Sequence, residues 1–214
     1  MEGSLSTANG FFRILAERCG VSGRMEQLRH KHEETFRHCV RVAWLGEKLA
    51  ETLRLDQERS SNLVRGCFIH DLGKLAVPNE VLDSEDRLTK EQWASIKRHP
   101  SAGAELLTEI PGMDRTLVET VLHHHERWDG SGYPVGLSGE DIPWTARACS
   151  VVDAFDSMLS PRPYRKTKTA EEAMQEIIRN AGTQFDPSLA ERFYSLLDVV
   201  NTMYLSYADL FKTF

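Results

Sequence analysis

No stretch of this chain stays apolar long enough to cross a bilayer, which takes about 20 residues in a helix. The opening MEGSLSTANG also lacks the basic and apolar segments of a secretion signal. Cysteine is scarce and scattered. Cys19, Cys39, Cys67 and Cys149 form no CxxC pair, which argues against a disulfide framework and fits reduced thiols in a cytoplasmic protein. A basic surplus is missing too: 26 Lys and Arg stand against 32 Asp and Glu, for a net charge of −6. That excludes general binding to nucleic acid or an anionic membrane, but leaves room for a small anionic ligand at a local cationic site. Internal repeats and low-complexity tracts are absent, and alternating strand patterns are few. At 214 residues the chain is long enough to bury a core without staples.

Helical signals fill the space that strands leave. One amphipathic helix is expected over residues 4–19, ended by Gly20, and a long one from Met25 to Leu53. Asp56 reads as the cap of the next helix, which runs into HDLGK. A loop is expected over 76–88. Thr89 and Gln92 form a capping box ahead of a helix to Arg98, and Pro100 breaks that helix before SAGAELLTEI. Residues 116–127 read as a helix, 129–143 as loop and 144–159 as helix. Thr169 with Glu172 makes a second capping box, and Asp186–Pro187 starts the final helices. The expected fold is all-α, with residues 1–24 as an accessory N-terminal helix and 25–214 as the main domain.

Helices that only pack have little use for imidazole, yet five of the eight histidines fall at helix positions suited to ligation. His38 lies one turn after Glu34, so the two share a face. His70 and Asp71 are adjacent and splay about 100° apart, which lets them reach different atoms of one site. His99 precedes Pro100, and His124 and His125 end a helical stretch. Asp153 interrupts the apolar run CSVVDAF. Singly, each has an ordinary explanation as a core or surface residue. Together, Glu34, His38, His70, Asp71, His99, His124, His125 and Asp153 form a mixed imidazole and carboxylate set. That chemistry suits Fe, Mn or Zn, and so many ligands imply two or three ions. Spacing alone leaves His123–His124 as the other register of the histidine pair.

The order of these motifs resembles the HD-GYP family, a branch of the HD-domain metal-dependent phosphohydrolases. The matching stretches are ETFRH (34–38), HDLGK (70–74), HP (99–100), HHERWDGSGYP (124–134), VVDAFDSM (151–158), SPRPYR (160–165) and FDP (185–187). The resemblance implies a helical bundle of about seven core helices around a metal centre, as bundles build such sites from facing helices. It implies hydrolysis of cyclic di-GMP to linear pGpG, with GMP and related cyclic dinucleotides left open, by metal-activated hydroxide. Its metal ligands would be His38, His70, Asp71, His99, His124, His125 and Asp153, with Asp71 bridging two ions. Glu34 matches an additional ligand of members with three ions. Iron or manganese is implied by the same likeness.

A phosphodiester is anionic and resists hydroxide, so paired cations about 3.5–4 Å apart would both activate water and clamp the phosphate. The resemblance makes Lys74 the cation that meets substrate phosphate, beside Asp71 in the catalytic pair. Arg162 and Arg165 would bind the second phosphate or a guanine, for which the guanidinium fork is suited. It also links the GYP loop to diguanylate cyclase domains. Two departures stand out: an acidic DSEDRL (83–88) replaces a Lys-Pro-Gly type turn, and DSM (156–158) replaces DAL or DAM. The C-terminal MYLSYADLFKTF matches no family motif and is read as a packing or homodimer helix. The rival reading is a low-turnover module that binds a cyclic dinucleotide or a cyclase.

Overall fold

The computed structural model describes residues 15–160 and 167–201. Ten α-helices follow one another in these residues: α1 (Ser22–Lys31), α2 (Glu33–Thr52), α3 (Gln57–Ile69), α4 (Asn79–Leu82), α5 (Lys90–Ile96), α6 (His99–Thr108), α7 (Arg115–His123), α8 (Trp144–Leu159), α9 (Ala170–Arg179) and α10 (Pro187–Tyr194). Short 3₁₀ turns occupy Leu72–Ala76 and Gly139–Asp141. Among the described residues the only extended pairing is a single bridge between Ala181 and Phe185, so the all-α expectation holds.

The caps read from sequence form as expected. Asp56 accepts from Arg59 N, and Thr89 and Thr169 make reciprocal capping boxes with Gln92 and Glu172. Asp186 caps α10, with Pro187 at its first position. Three expectations need correction. The helix expected over 25–53 is two helices, because His32 leaves helical geometry at φ −152° and ψ 89°. Its ring Nδ1 accepts from Thr35 N, so a side-chain cap starts α2 where propagation would have continued α1. Glu33 and Glu34 then fill the first turn of α2, where the helix dipole favours acids. The second correction is the stretch 116–127, whose helix α7 stops at His123. A third is the 76–88 loop, which contains the single turn α4.

Helix α8 is the axis of the bundle. It packs on α2, α3, α7, α9 and α10 and buries Ala148, Cys149, Val151, Val152 and Phe155 completely. Each large apolar side chain so buried contributes about 1.5–3 kcal/mol. Phe155 meets Phe193 of α10 edge-on at 5.2 Å between centroids. Leu15, Ala16, Cys19 and Val21 are buried in the same core.

One close contact positions the site. The 3₁₀ turn after Asp71 lies against α6 so tightly that a Cβ on Gly73 would overlap the His99 carbonyl oxygen. Only glycine lets the backbone pass there. HDLGK and HP, 29 residues apart in sequence, are thereby held in direct contact.

Candidate metal centre

Histidines from four helical segments meet in the interior. His70, His99 and His124 are each 1% exposed. Their rings form a chain of contacts: His38 to His70 at 5.1 Å, His70 to His124 at 5.0 Å, His99 to His124 at 5.2 Å and His124 to His125 at 4.1 Å between centroids. Two groups of converging ligand atoms result. One is His38, His70 and Asp71; the other is His99, His124 and His125. Asp153 joins the first, with Oδ1 2.9 Å from His38 Nε2 and 3.8 Å from His70 Nε2.

Asp71 lies between the groups. Its Oδ1 is 3.1 Å from His99 Nε2, while Oδ2 is 3.4 Å from His70 Nε2 and 3.7 Å from His38 Nε2. One carboxylate oxygen thus faces each group. Lys74 Nζ sits 2.6 Å from Oδ2.

The protonation of these rings follows from their partners. His70 Nδ1 is 2.8 Å from the Cys67 carbonyl, His99 Nδ1 2.7 Å from that of Ile96, and His124 Nδ1 2.7 Å from that of Val121. A carbonyl can only accept, so each Nδ1 carries the proton and each neutral Nε2 presents a lone pair inward. His99 Nε2 and His124 Nε2 then lie 3.2 Å apart, and His70 Nε2 is buried with no hydrogen-bond partner. Converging lone pairs and an orphaned buried nitrogen are costly in a dry interior. A divalent cation removes that cost, so the residues fit a metal.

Electrostatics agree. Burial pulls the His125 imidazole down to about 3; His124 is likewise held well below the usual range, again first by burial. Burial opposes charge on Asp71, but the Lys74 ammonium outweighs it and holds the carboxyl well below normal. Asp153 is held low as well: burial again opposes its charge, and the hydrogen bond from His38 outweighs it. His38 behaves differently. Burial disfavours its charge, yet bonds to Asp153 and Asp156 push it up to about 9. Without an ion, a proton on His38 supplies the positive charge these carboxylates demand.

Glu34 is not drawn into either group. Its carboxylate turns to Arg41, 2.9 Å away, and stays 56% exposed. His123, the other register, points elsewhere: its Nδ1 lies 3.6 Å from Glu126. Arg162 and Arg165 lie outside the described residues, as does the C-terminal segment 203–214.

Two residues not singled out from sequence hold the arrangement. Asp156 is fully buried and receives the His38 Nδ1 proton at 2.7 Å and Arg41 Nε at 2.8 Å. Its spacing, three residues after Asp153 on α8, was the available signal. Glu126 is also buried and accepts from Val135 N at 2.8 Å and Gly136 N at 3.0 Å. It clamps the GYP loop onto the end of α7. Gly132 packs so close to Glu126 and Arg127 that a side chain would strike their backbone. Tyr133, before the cis-Pro134 bond, is laid over His125 with centroids 4.9 Å apart.

Comparison with known proteins shows the family. A family model described as HD domain matches residues 12–189. The chain is 35% identical over 176 residues to a cyclic di-GMP phosphodiesterase of Thermotoga maritima, covering 82% of this chain and 48% of that protein. It is 33% identical over 162 residues to a 3′3′-cGAMP-specific phosphodiesterase of Vibrio cholerae, covering 75% of this chain and 31% of the relative. The chain therefore spans about half or less of the curated relatives it matches. Among solved structures, a HDG"Y"P protein from Bdellovibrio bacteriovorus superposes with a TM-score of 0.64 at 23% identity, over 76% of this chain and 52% of the other. That likeness supports the fold.

Proposed function

Because this chain belongs to the HD-domain family, we propose that it is a metal-dependent phosphodiesterase that opens cyclic di-GMP to linear pGpG. The observation that carries the proposal is the pair of buried ligand groups joined by the two oxygens of Asp71. In this reading His38, His70, Asp71 and Asp153 hold one ion, and Asp71, His99, His124 and His125 hold the other. Iron or manganese suits this mixed imidazole and carboxylate set. When bound, such ions supply a nucleophile at neutral pH and charge to clamp the phosphate. The protein's own residues do the rest. Asp71 and Asp153 stay ionised, the tied imidazoles offer Nε2, and the buried walls exclude water. Lys74 balances Asp71 and stands ready to meet a non-bridging phosphate oxygen.

Glu34 belongs to this reading as the ligand of a third ion, reached by release from Arg41. Arg162 and Arg165 are proposed contacts for the second phosphate or a guanine. The GYP loop is proposed as the face for a diguanylate cyclase domain, and a homodimer as the assembly. Residues 25–214 are proposed as the catalytic domain, with 1–24 as its N-terminal arm. A cytoplasmic location is proposed as well, supported by the four free, buried cysteines. No helix among the described residues is long and apolar enough to cross a membrane.

The test is an anaerobic assay. Protein loaded with Fe²⁺ or Mn²⁺ is analysed for bound metal, given cyclic di-GMP, and its products are resolved over time. The expected result is pGpG in step with metal content, abolished in His70→Ala and Asp71→Ala. Fully metallated protein that leaves cyclic di-GMP intact but binds it would replace the enzyme with the low-turnover binding module.

A further inference from the structure

Helix α5 has no buried residue, so its side chains are not there to build the core. It ends three residues short of His99, a member of the second ligand group. Its Trp93 is 47% exposed, one of few large apolar side chains left in water. One turn later comes Lys97, with Nζ 5.9 Å from the centroid of the Trp93 ring and 5.2 Å from that of Tyr133. Tyr133 in turn covers His125. The result is a ladder from solvent to the centre: indole, ammonium, phenol, imidazole. Among the described residues no carboxylate pairs with Lys97, although the chain as a whole is acidic.

Resting on the phosphodiesterase reading, we propose that this ladder is a nucleobase subsite selective for guanine, in which Trp93 stacks on the base and Lys97 donates to its O6 and N7. The chemistry favours this occupant. A cyclic dinucleotide whose phosphate is held at the ligand groups must put its flat bases against the surrounding wall. Exposed aromatic rings are the usual platforms for unpaired bases. An ammonium has three donors and no acceptor. The outer edge of guanine offers two acceptors, whereas adenine places an amino donor beside N7. Lys97 therefore complements guanine and repels the adenine amino group. Its contacts with two aromatic rings hold it in place without neutralising it.

The experiment compares the metal-loaded wild type with Trp93→Ala, Trp93→Phe and Lys97→Met. Turnover and equilibrium binding are read with cyclic di-GMP, cyclic di-AMP and the base-free diester bis(p-nitrophenyl) phosphate. In Trp93→Ala the ratio of cyclic di-GMP to base-free turnover should fall roughly tenfold, the scale of one lost base stack. Trp93→Phe should restore most of that ratio. In Lys97→Met the preference for cyclic di-GMP over cyclic di-AMP should shrink by about tenfold. Unchanged ratios, or an equal fall for all three substrates, would overturn the subsite while leaving the enzyme reading in place. A wild type that neither binds nor cleaves any cyclic dinucleotide, yet cleaves the base-free diester, would remove both. If the variants instead lose only protein–protein association, the ladder is a docking face and the subsite is refuted.

Discussion

Replacing Asp156 with alanine tests whether the centre depends on a residue that touches no ion. Asp156 accepts the His38 Nδ1 proton at 2.7 Å and Arg41 Nε at 2.8 Å, with its side chain fully buried. Hydrogen bonds to charged groups contribute about 1.5–3 kcal/mol each. Arg41 keeps Glu34 and Ser160 as partners, so the total loss should be about 3 kcal/mol rather than the full sum. In a chain of this size that lowers Tm by about 6–12 °C. His38 would also lose the bond that fixes its ring, which typically weakens metal affinity by about 10–100-fold. Burial raises the Asp156 carboxyl, but Arg41 and His38 overcome it and leave it well below the usual range. Its stabilisation is therefore complete above the ordinary aspartate value near 4 and is lost only as pH falls through the lower folded value. The difference between wild type and variant should accordingly be flat from about pH 5 to 6.5 and shrink above that range, as His38, whose raised value rests partly on Asp156, gives up its proton. Circular dichroism melts and metal titrations at several pH values read both quantities. An Asp156→Ala protein with unchanged Tm and unchanged metal affinity would refute the reasoning.

Other outcomes follow from the same geometry. Metal loading near pH 7 should release about one proton from His38, whose metal-free value is about 9; calorimetry in buffers of different ionisation enthalpy should show it, and His38→Gln should abolish it. In metal-free protein the His38 contribution is complete below about pH 6.5 and is lost as pH rises toward 9, a change of up to about 3 kcal/mol that melts across that range should trace. His125, held neutral down to about 3, acts with the opposite sign, so metal-free protein should also lose stability as pH falls below about 6.5. Gly73→Ala should disrupt the contact of the HD turn with α6 by several kcal/mol and yield protein with reduced solubility and a weakened far-UV signal. Glu126→Ala should leave the amides of Val135 and Gly136 without their acceptor and speed proteolysis within the GYP loop, while helix content stays unchanged.

Most candidate ligands were legible because each motif is local: HD, HP and HH sit at helix ends whose caps and breakers can be read residue by residue. Their convergence could be inferred only from the company they keep. What escaped was long-range. Asp156 serves His38 across 118 residues; its place three residues after Asp153 hints at the site but not at that partner. The pairing of Glu34 with Arg41, on the same helix two turns on, was likewise not read from the sequence. The break at His32 was hidden because the cap is an imidazole rather than the usual Ser, Thr, Asp or Asn. The end of α7 was misjudged because the His123–Arg127 stretch carries no glycine or proline until Gly130; the helix stops where Glu126 and Gly132 fold the loop back upon it.

The same local device recurs at three of the candidate ligands. His70, His99 and His124 each donate Nδ1–H to the carbonyl three residues earlier, near the ends of α3, α5 and α7 respectively. The last turn of a helix leaves carbonyls without intrahelical partners. Here an imidazole satisfies one of them, and in doing so it fixes its own tautomer and aims its free nitrogen inward. The carbonyl end of a helix also carries partial negative charge that favours a nearby cation. Helix termination, ring orientation and electrostatic attraction for a metal are thus one arrangement, repeated three times around Asp71. This explains why these three histidines lie at helix ends, unlike His38 on the face of α2. It also explains how an acidic chain can gather neutral imidazoles so closely: each is held by its own backbone, and a shared ion would remove the repulsion of the lone pairs they turn toward one another.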